Sequence, residues 1–346
     1  MTHKLALIGF GTVGQGLAEI LLRRGPEITR RYGTEFTVVA ISDAVKGSVY
    51  DPNGLDLAAV MNNLEAVGSL QGYPESPEVH KGWDSIQTIR HSNADTVVEA
   101  TFTNVIDGEP GLTHCREALQ SGKNVVTTNK GPIALAYDDL MHLAEKHRCR
   151  LLFEGTVMSG TPVLRTVNTA LAGDRITRVR GIVNGTSNFI LTQMEGGIAF
   201  DEALRDAQQR GYAEADPTAD VDGFDAQFKT LILARAIMGE TIDRNNIPCT
   251  GIREITAHDI QAAHRKNSRY KLIARIETTP VGLRATVGPE IVPLSDPLAG
   301  VGGAVNAISF DCELAGSVTV VGPGAGRMET GYALLVDCIN MTRGQI

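Results

Sequence analysis

At 346 residues the chain is too long for one ordinary core, and at roughly 150 residues per domain it reads as two. A hydrophobic fraction of 42% with 21% charged residues and 37 glycines excludes a disordered or fibrous chain and suits α/β material. The net charge of −8 gives nucleic acid and acidic membrane surfaces no overall attraction, so neither is expected as a partner.

No run of about twenty uncharged apolar residues occurs, and the opening apolar residues form a strand pattern with no charged n-region or cleavage site before it. A cytoplasmic protein is expected. Cys115, Cys149, Cys249, Cys312 and Cys338 are odd in number, scattered and without a C-x-x-C pair, which favours small buried hydrophobes over a disulfide scaffold or zinc ribbon.

Residues 4–10, KLALIGF, are a short apolar run that enters the turn GFGTVG at 9–14, and QGLAEILLRR at 15–24 has helical spacing. Strands are predicted at FTVVAISD (36–43) and ADTVVEA (94–100), separated by a polar, glycine-rich stretch with one short helical candidate, LDLAAVMNN (55–63). GLTHCREALQSG (111–122) reads as a helix, KNVVTTNK (123–130) as a strand, PIALAYDDLMHLAEKHRC (132–149) as a longer helix with proline in its first turn, and RLLFEGTV (150–157) as a strand. This serial βαβ alternation requires a largely parallel sheet with helices on its faces.

Residues 162–171 return to helical spacing, and ITRVRGIVNG (176–185) opens a second sheet. Helices follow at TSNFILTQMEGG (186–197), FDEALRDAQQRG (200–211) and FDAQFKTLILARAIMG (224–239), with the acidic loop YAEADPTADVDG (212–223) between the last two. Thr256 with Asp259 three residues on resembles a capped start for ITAHDIQAAHRK. Strands are then predicted in KLIARIE, GLRATVGPEIV, AVNAISFD and SVTVVG, and GPGAGRMETGYALLVDCINM (322–341) ends in a one-sided apolar helix long enough to fold back on the first domain. The fold class is α/β, a Rossmann nucleotide-binding domain followed by an α+β substrate domain.

Gly9, Gly11 and Gly14 form G-x-G-x-x-G between strand and helix. The first permits the tight turn, the second lets the backbone approach a pyrophosphate and the third allows close helix packing, while the helix N-terminus presents oriented N–H groups. Asp43 ends the second strand, where an acidic side chain accepts from an adenosine ribose and favours NAD, although it stands later than the usual spacing of about 20 residues. Lys46 is near enough to meet a 2′-phosphate. The cofactor is therefore NAD or NADP, with a slight preference for NAD. Further cofactor contacts are expected at Phe10, Thr12, Val13, Thr101, Thr103 and Lys130.

The stretch GYAEADPTADVDGFDAQFK (211–229) is the most informative. A helix beginning near Gly223 puts Asp225 and Lys229 on one face, and the apolar residues that follow weaken the reading of an exposed surface ion pair. Glu214, Asp216, Asp220 and Asp222 add carboxylates that can grip an ammonium group, orient a lysine or solvate a loop; their spacing does not match an EF-hand. Lys130 stands at the carboxyl end of a predicted parallel strand, the border of the usual ligand crevice. Two lysines so placed suit substrate positioning and the proton exchange that accompanies hydride transfer.

Over almost its whole length the sequence resembles homoserine dehydrogenases, in GFGTVG, VVTTNKGPIAL, FEGTV, NGTSNFIL, the 211–229 stretch, GAVNAISF and GPGAGRMET, in that order. The resemblance implies reversible NAD(P)-dependent interconversion of L-homoserine and L-aspartate 4-semialdehyde. It assigns Lys229 to proton exchange at the substrate oxygen, Lys130 to substrate positioning, Glu214 to the substrate ammonium, Asp225 to holding substrate or water, and Asp220 to a further contact. It also implies a sodium or other monovalent cation at Glu154, Val157, Ser159 and Thr161, largely through backbone oxygens, and contacts near the nicotinamide from Gly324 and Glu329, with Thr330 orienting nearby groups. VMSGT (157–161) departs from the alanine- and glycine-rich form of some members, which bears on the cation.

The resemblance further implies a homodimer, formed through the substrate domain. The domains it implies are an NAD(P)-binding Rossmann domain at 1–135, a substrate-binding and dimerisation domain with hinge segments at 136–310, and a return to the nucleotide domain at 311–346. A short form without an appended regulatory domain is expected. The competing readings are a dehydrogenase for another small hydroxy acid and, in a different class, a non-catalytic NAD(P)-sensing or interaction module. The acidic 214–225 segment speaks for an amino-acid substrate, and a non-catalytic module leaves it and Lys130 without a task.

Overall fold

The computed structural model describes residues 1–344 and divides into two compact units, Met1–Gly160 with the chain from Gly326 onward, and Thr161–Ala325. The first unit opens with β1 (Thr2–Ile8), α1 (Thr12–Tyr32), β2 (Glu35–Asp43), the short strand β3 (Gly47–Tyr50), α2 (Leu57–Val67) and β4 (His80–Lys81). It continues through α3 (Ser85–His91), β5 (Thr96–Glu99), α4 (Gly111–Gln120), β6 (Asn124–Thr127), α5 (Lys130–Lys146), β7 (Leu151–Leu152) and the single turn α6 (Gly155–Met158).

These strands form one sheet in the order β4-β3-β2-β1-β5-β6-β7. β2, β1, β5, β6 and β7 run parallel, and β3 and β4 add an antiparallel edge. From β1 the chain crosses to β2 on one side and later to β5 on the other, so a switch point lies between the carboxyl ends of β1 and β5, where ligands bind in open α/β sheets. Leu5, Leu7, Val38, Ile41, Val98 and Val126 are fully buried and fix the core on which α1 packs.

Several local predictions change in the structure: the strand expected at 123–130 stops at Thr127, so Lys130 opens a helix instead of ending a strand, and the expected acidic loop holds a helical turn at Thr218–Val221. Helix α1 runs past Pro26 to Tyr32, well beyond the expected end at residue 24; the lost N–H is one bond in a 21-residue helix whose Ile28 is buried, and Thr29 Oγ1 donates to the Gly25 carbonyl. Of RLLFEGTV only Leu151–Leu152 pair with β6, because the Glu154 N–H donates to the Asp337 carboxylate and the chain turns into α6.

The second unit holds β8 (Ile176–Ile182), α7 (Gly185–Glu195), α8 (Phe200–Gln209), α9 (Thr218–Val221), α10 (Phe224–Met238), α11 (Ala257–Arg265), β9 (Ser268–Thr279), β10 (Gly282–Pro293), β11 (Val305–Cys312) and β12 (Gly316–Pro323). Its five strands are antiparallel in the order β10-β9-β8-β11-β12. Helix α11 begins with a full capping box between Thr256 and Asp259.

The last helix, α12 (Arg327–Thr342), belongs to the first unit. It packs on α1 through a pair of glycines: a Cβ on Gly16 would lie 2.2 Å from the Arg327 carbonyl oxygen, and one on Gly331 would lie 2.6 Å from the Gly16 backbone. The unit boundaries thus fall at 160/161 and 325/326 rather than at the expected 135/136 and 310/311, since β7 continues the first sheet and β12 completes the second; residues 345 and 346 of the expected third segment lie outside the described residues. Gly331→Leu should destabilise the protein by about 3 kcal/mol through backbone overlap, read as a lower urea midpoint. An unchanged midpoint would mean that the two helices do not meet at that residue.

Candidate active site

At the carboxyl ends of β1, β2 and β5 the first unit encloses a cavity of about 660 Å³ lined by Gly9, Gly11, Asp43, Lys46, Trp83, Thr101 and His114 among others. Gly9 has φ +89°, and a Cβ there would lie 2.6 Å from the Ala100 backbone, so only glycine fits the turn. A Cβ on Gly14 would meet the Gly9 carbonyl oxygen at 2.6 Å, whereas one on Gly11 meets nothing within 4 Å. The space at Gly11 is therefore open for a ligand to approach the backbone.

Asp43 is tied into this turn. Its Oδ2 accepts from the Phe10 N–H at 2.8 Å, and its Oδ1 accepts from the Val45 and Lys46 N–H groups at 3.0 Å each. Burial alone pushes the carboxyl up, but these backbone donors and the Lys46 charge outweigh it and hold the group below the usual carboxylate value. Lys46 Nζ stands 3.6 Å from Asp43 Oδ1. Phe10 is fully buried, Thr12 is exposed and Val13 and Thr103 are half-buried, and none of these four lines the cavity.

Lys130, half-buried, is the first residue of α5, where Asn129 caps the helix by accepting from the Gly131 N–H at 3.1 Å. Glu329 lies exposed in the first turn of α12, beside Gly326. Ser159 closes α6 with φ +53°, and its hydroxyl shares a hydrogen bond with Thr330 at 2.7 Å. Glu154 and Val157 are buried nearby in sequence. Among the described residues no group of three or more His, Cys, Asp or Glu side chains is arranged to hold a metal.

In the second unit the expected pair is formed: Lys229 Nζ lies 2.8 Å from Asp225 Oδ2, with the two side chains only 8% and 12% exposed. The same ammonium donates to the Val183 carbonyl at 2.6 Å, just beyond β8. Asn184 links the cluster, donating through Nδ2 to Asp220 at 2.6 Å and Asp225 at 3.0 Å while its Oδ1 caps α7 at the Ser187 N–H. Sequence reasoning gave Asn184 no role, although an Asn directly before a helix pattern is itself an N-cap signal. Glu214 stands exposed in the acidic loop; Asp222 instead pairs with Arg253, and Asp216 caps Thr218.

Thr161 Oγ1 donates to the Pro323 carbonyl at 2.9 Å. Gly324 is required here by a neighbour in its own unit, since a Cβ would lie 2.0 Å from Asn306 Nδ2.

A family profile described as "Homoserine dehydrogenase, NAD binding domain" matches residues 9–154, and one described as "Homoserine dehydrogenase" matches residues 162–339. An NAD(+)-dependent homoserine dehydrogenase of Pseudomonas canavaninivorans is 45% identical over 98% of this chain and 96% of its own. The chain belongs to the homoserine dehydrogenase family. It is an NAD(P)-dependent oxidoreductase with a parallel nucleotide-binding sheet and a second, antiparallel domain. A homoserine dehydrogenase of Methanocaldococcus jannaschii is 38% identical over 97% of this chain and 98% of its own. Among solved structures, a hyperthermophilic archaeal homoserine dehydrogenase in complex with NADPH superposes with a TM-score of 0.85 at 30% identity, covering 100% of this chain and 99% of that one. Among the described residues no helix is long and apolar enough to cross a membrane.

Burial, reinforced by the Asp225 carboxylate, pushes the Asp220 carboxyl above its ordinary value despite the Asn184 amide and the Lys229 charge. Between the unfolded and the raised folded value the folded protein keeps a proton that the unfolded chain releases, so this contribution to stability is full at low pH and lost as pH rises through the folded value. Asp220→Asn removes the charge but keeps an oxygen for Asn184. It should be more stable than the wild type at ~pH 7 and lose less stability between ~pH 4 and ~pH 7, measured by denaturant unfolding. A variant less stable at neutral pH would contradict this electrostatic account.

Proposed function

We propose that the protein catalyses reversible hydride transfer between a pyridine nucleotide and the pair L-homoserine and L-aspartate 4-semialdehyde. One observation carries the reading: a buried lysine, Lys229, held between the Asp225 carboxylate and a strand-end carbonyl, in a chain of this family. Lys229 exchanges the proton at the substrate oxygen, held in place by the Asp225 carboxylate. Asp225 and Asp220 hold the substrate in register, and exposed Glu214 receives its ammonium group. Lys130 is assigned to positioning the substrate from the start of α5. When bound, the nicotinamide supplies or accepts the hydride, and the protein's part is orientation, proton exchange and charge stabilisation.

NAD is the preferred nucleotide in this reading. The Asp43 carboxylate, held ionised by three backbone donors, keeps capacity to accept from a ribose hydroxyl and repels a 2′-phosphate; the NAD(+)-dependent relative supports the same choice. Lys46 leaves NADP usable as a weaker second cofactor. A sodium or similar monovalent cation is assigned to Glu154, Val157, Ser159 and Thr161. The last carbonyls of α6 lack intrahelical donors, and hard oxygen ligands of that kind fit such an ion. A homodimer through the second unit is part of the proposal, supported by β12, an edge strand exposed or half-exposed along its whole length. The cytoplasm is the proposed compartment.

Nicotinamide absorbance during incubation with L-homoserine tests the reaction, with the semialdehyde quantified alongside. Equal amounts of reduced nucleotide and semialdehyde are expected. Absence of turnover in both directions by folded, nucleotide-binding protein would reject the substrate assignment. With both nucleotides compared, kcat/KM should be higher with NAD, and Lys46→Ala should lower kcat/KM with NADP about tenfold while changing NAD use about twofold or less. Equal losses with both nucleotides would remove Lys46 from the 2′-phosphate.

A further inference from the structure

Among the buried charges of the described residues that the proposed reaction does not use, Glu99 is the one beside the nucleotide cavity. Glu99, the last residue of β5, is fully buried and sits behind the nucleotide cavity. Burying a carboxylate is costly unless it is well hydrogen-bonded, so the groups it engages show what it holds. Its Oε1 accepts from the Thr101 N–H at 3.1 Å and from the Thr101 hydroxyl. The Thr127 hydroxyl is shared between its Oε2 and the Glu99 backbone carbonyl, each at 3.0 Å. Thr127 ends β6 and in turn accepts from the Asn129 N–H at 3.0 Å. Asn129 completes a circuit, since its Nδ2 lies 3.4 Å from Thr101 Oγ1 and 3.2 Å from the Phe102 carbonyl. Its remaining oxygen caps α5, whose first residue is Lys130.

The ring is tightly enclosed. A Cβ on Gly111 would lie 2.5 Å from Asn129 Nδ2, and Thr127 and Asn129 are 0% and 1% exposed. On the cavity side, His114 places Nδ1 3.6 Å from Glu99 Oε1 and Nε2 2.8 Å from Ser85 Oγ, and both His114 and Ser85 line the nucleotide cavity.

We infer that Glu99 is a positioning residue that clamps the loops leaving β5 and β6 together, setting Thr101 for the nucleotide and the start of α5 for Lys130. The inference rests on the assignment of Lys130 to the substrate. The ring joins Thr101 on the cavity wall to Asn129, the cap of the helix that Lys130 opens. Closed hydrogen-bond rings of this kind act as a unit, so breaking one arm releases both loops.

The full-length enzyme, saturated with NAD and assayed with L-homoserine, tests this through a double-mutant cycle. Glu99→Ala should lower kcat about thirtyfold alone but about twofold or less in a Lys130→Ala background, because one path cannot be broken twice. Thr127→Val cuts the same arm with little change of volume and covers the case in which Glu99→Ala does not fold; it should lower kcat about tenfold, again without effect in the Lys130→Ala background. Glu99→Gln, which can still accept from Thr101 and meet the Thr127 hydroxyl, should recover at least about tenfold of the Glu99→Ala loss. A Lys130→Ala enzyme as fast as the wild type would overturn the Lys130 assignment and this inference with it. A defective Lys130→Ala enzyme to which the Glu99 and Thr127 losses add in full would overturn the inference alone.

Discussion

A buried ammonium must be paired, and the second unit is arranged around that requirement at Lys229. Its partners come from two places in the chain: Asp225 from one turn earlier on the same helix, and the Val183 carbonyl from beyond β8, whose neighbour Asn184 holds the Asp225 carboxylate. Removing one member of a buried ion pair costs more than the pair contributes over an apolar substitute. The cluster is therefore better explained by chemistry than by stability. The enclosure and fixed contacts of Lys229 suit the proton exchange proposed for it.

The first unit solves a different problem with backbone rather than side chains. Gly9 can turn only with a positive φ, Gly14 can approach only without a Cβ, and Asp43 fastens the turn to the end of β2 through the Phe10 N–H. A residue expected to read the ribose thus also shapes the loop that receives the pyrophosphate. The cavity at this switch point and the enclosed ring behind it place nucleotide recognition and the Lys130 loop on one set of strand ends.

Much of this was legible in the sequence where the signal is local. Strand-like stretches marked all five strands of the antiparallel sheet, the glycine turn marked the nucleotide site, and the four-residue spacing of Asp225 and Lys229 put them on one helix face. Signals that depend on distant partners were not legible. Helix α1 continues through Pro26 to bury Ile28, RLLFEGTV breaks at Glu154 because Asp337 captures its N–H, and β3 forms only as an added edge to β2. Gly324 was read as an approach to the nicotinamide, but its closest neighbour is the Asn306 amide, 18 residues earlier in the chain. Glu99 looked like one more residue of a strand, since nothing in ADTVVEA tells that Thr127 and Asn129 will meet it.

The central claim is that Lys229 carries the proton that accompanies hydride transfer, and the most direct test is turnover of homoserine by Lys229→Ala beside measured nucleotide affinity. The account predicts that kcat falls by about 10²- to 10⁴-fold while the dissociation constant for the nucleotide stays within about twofold. Turnover within a few-fold of the wild type would contradict it.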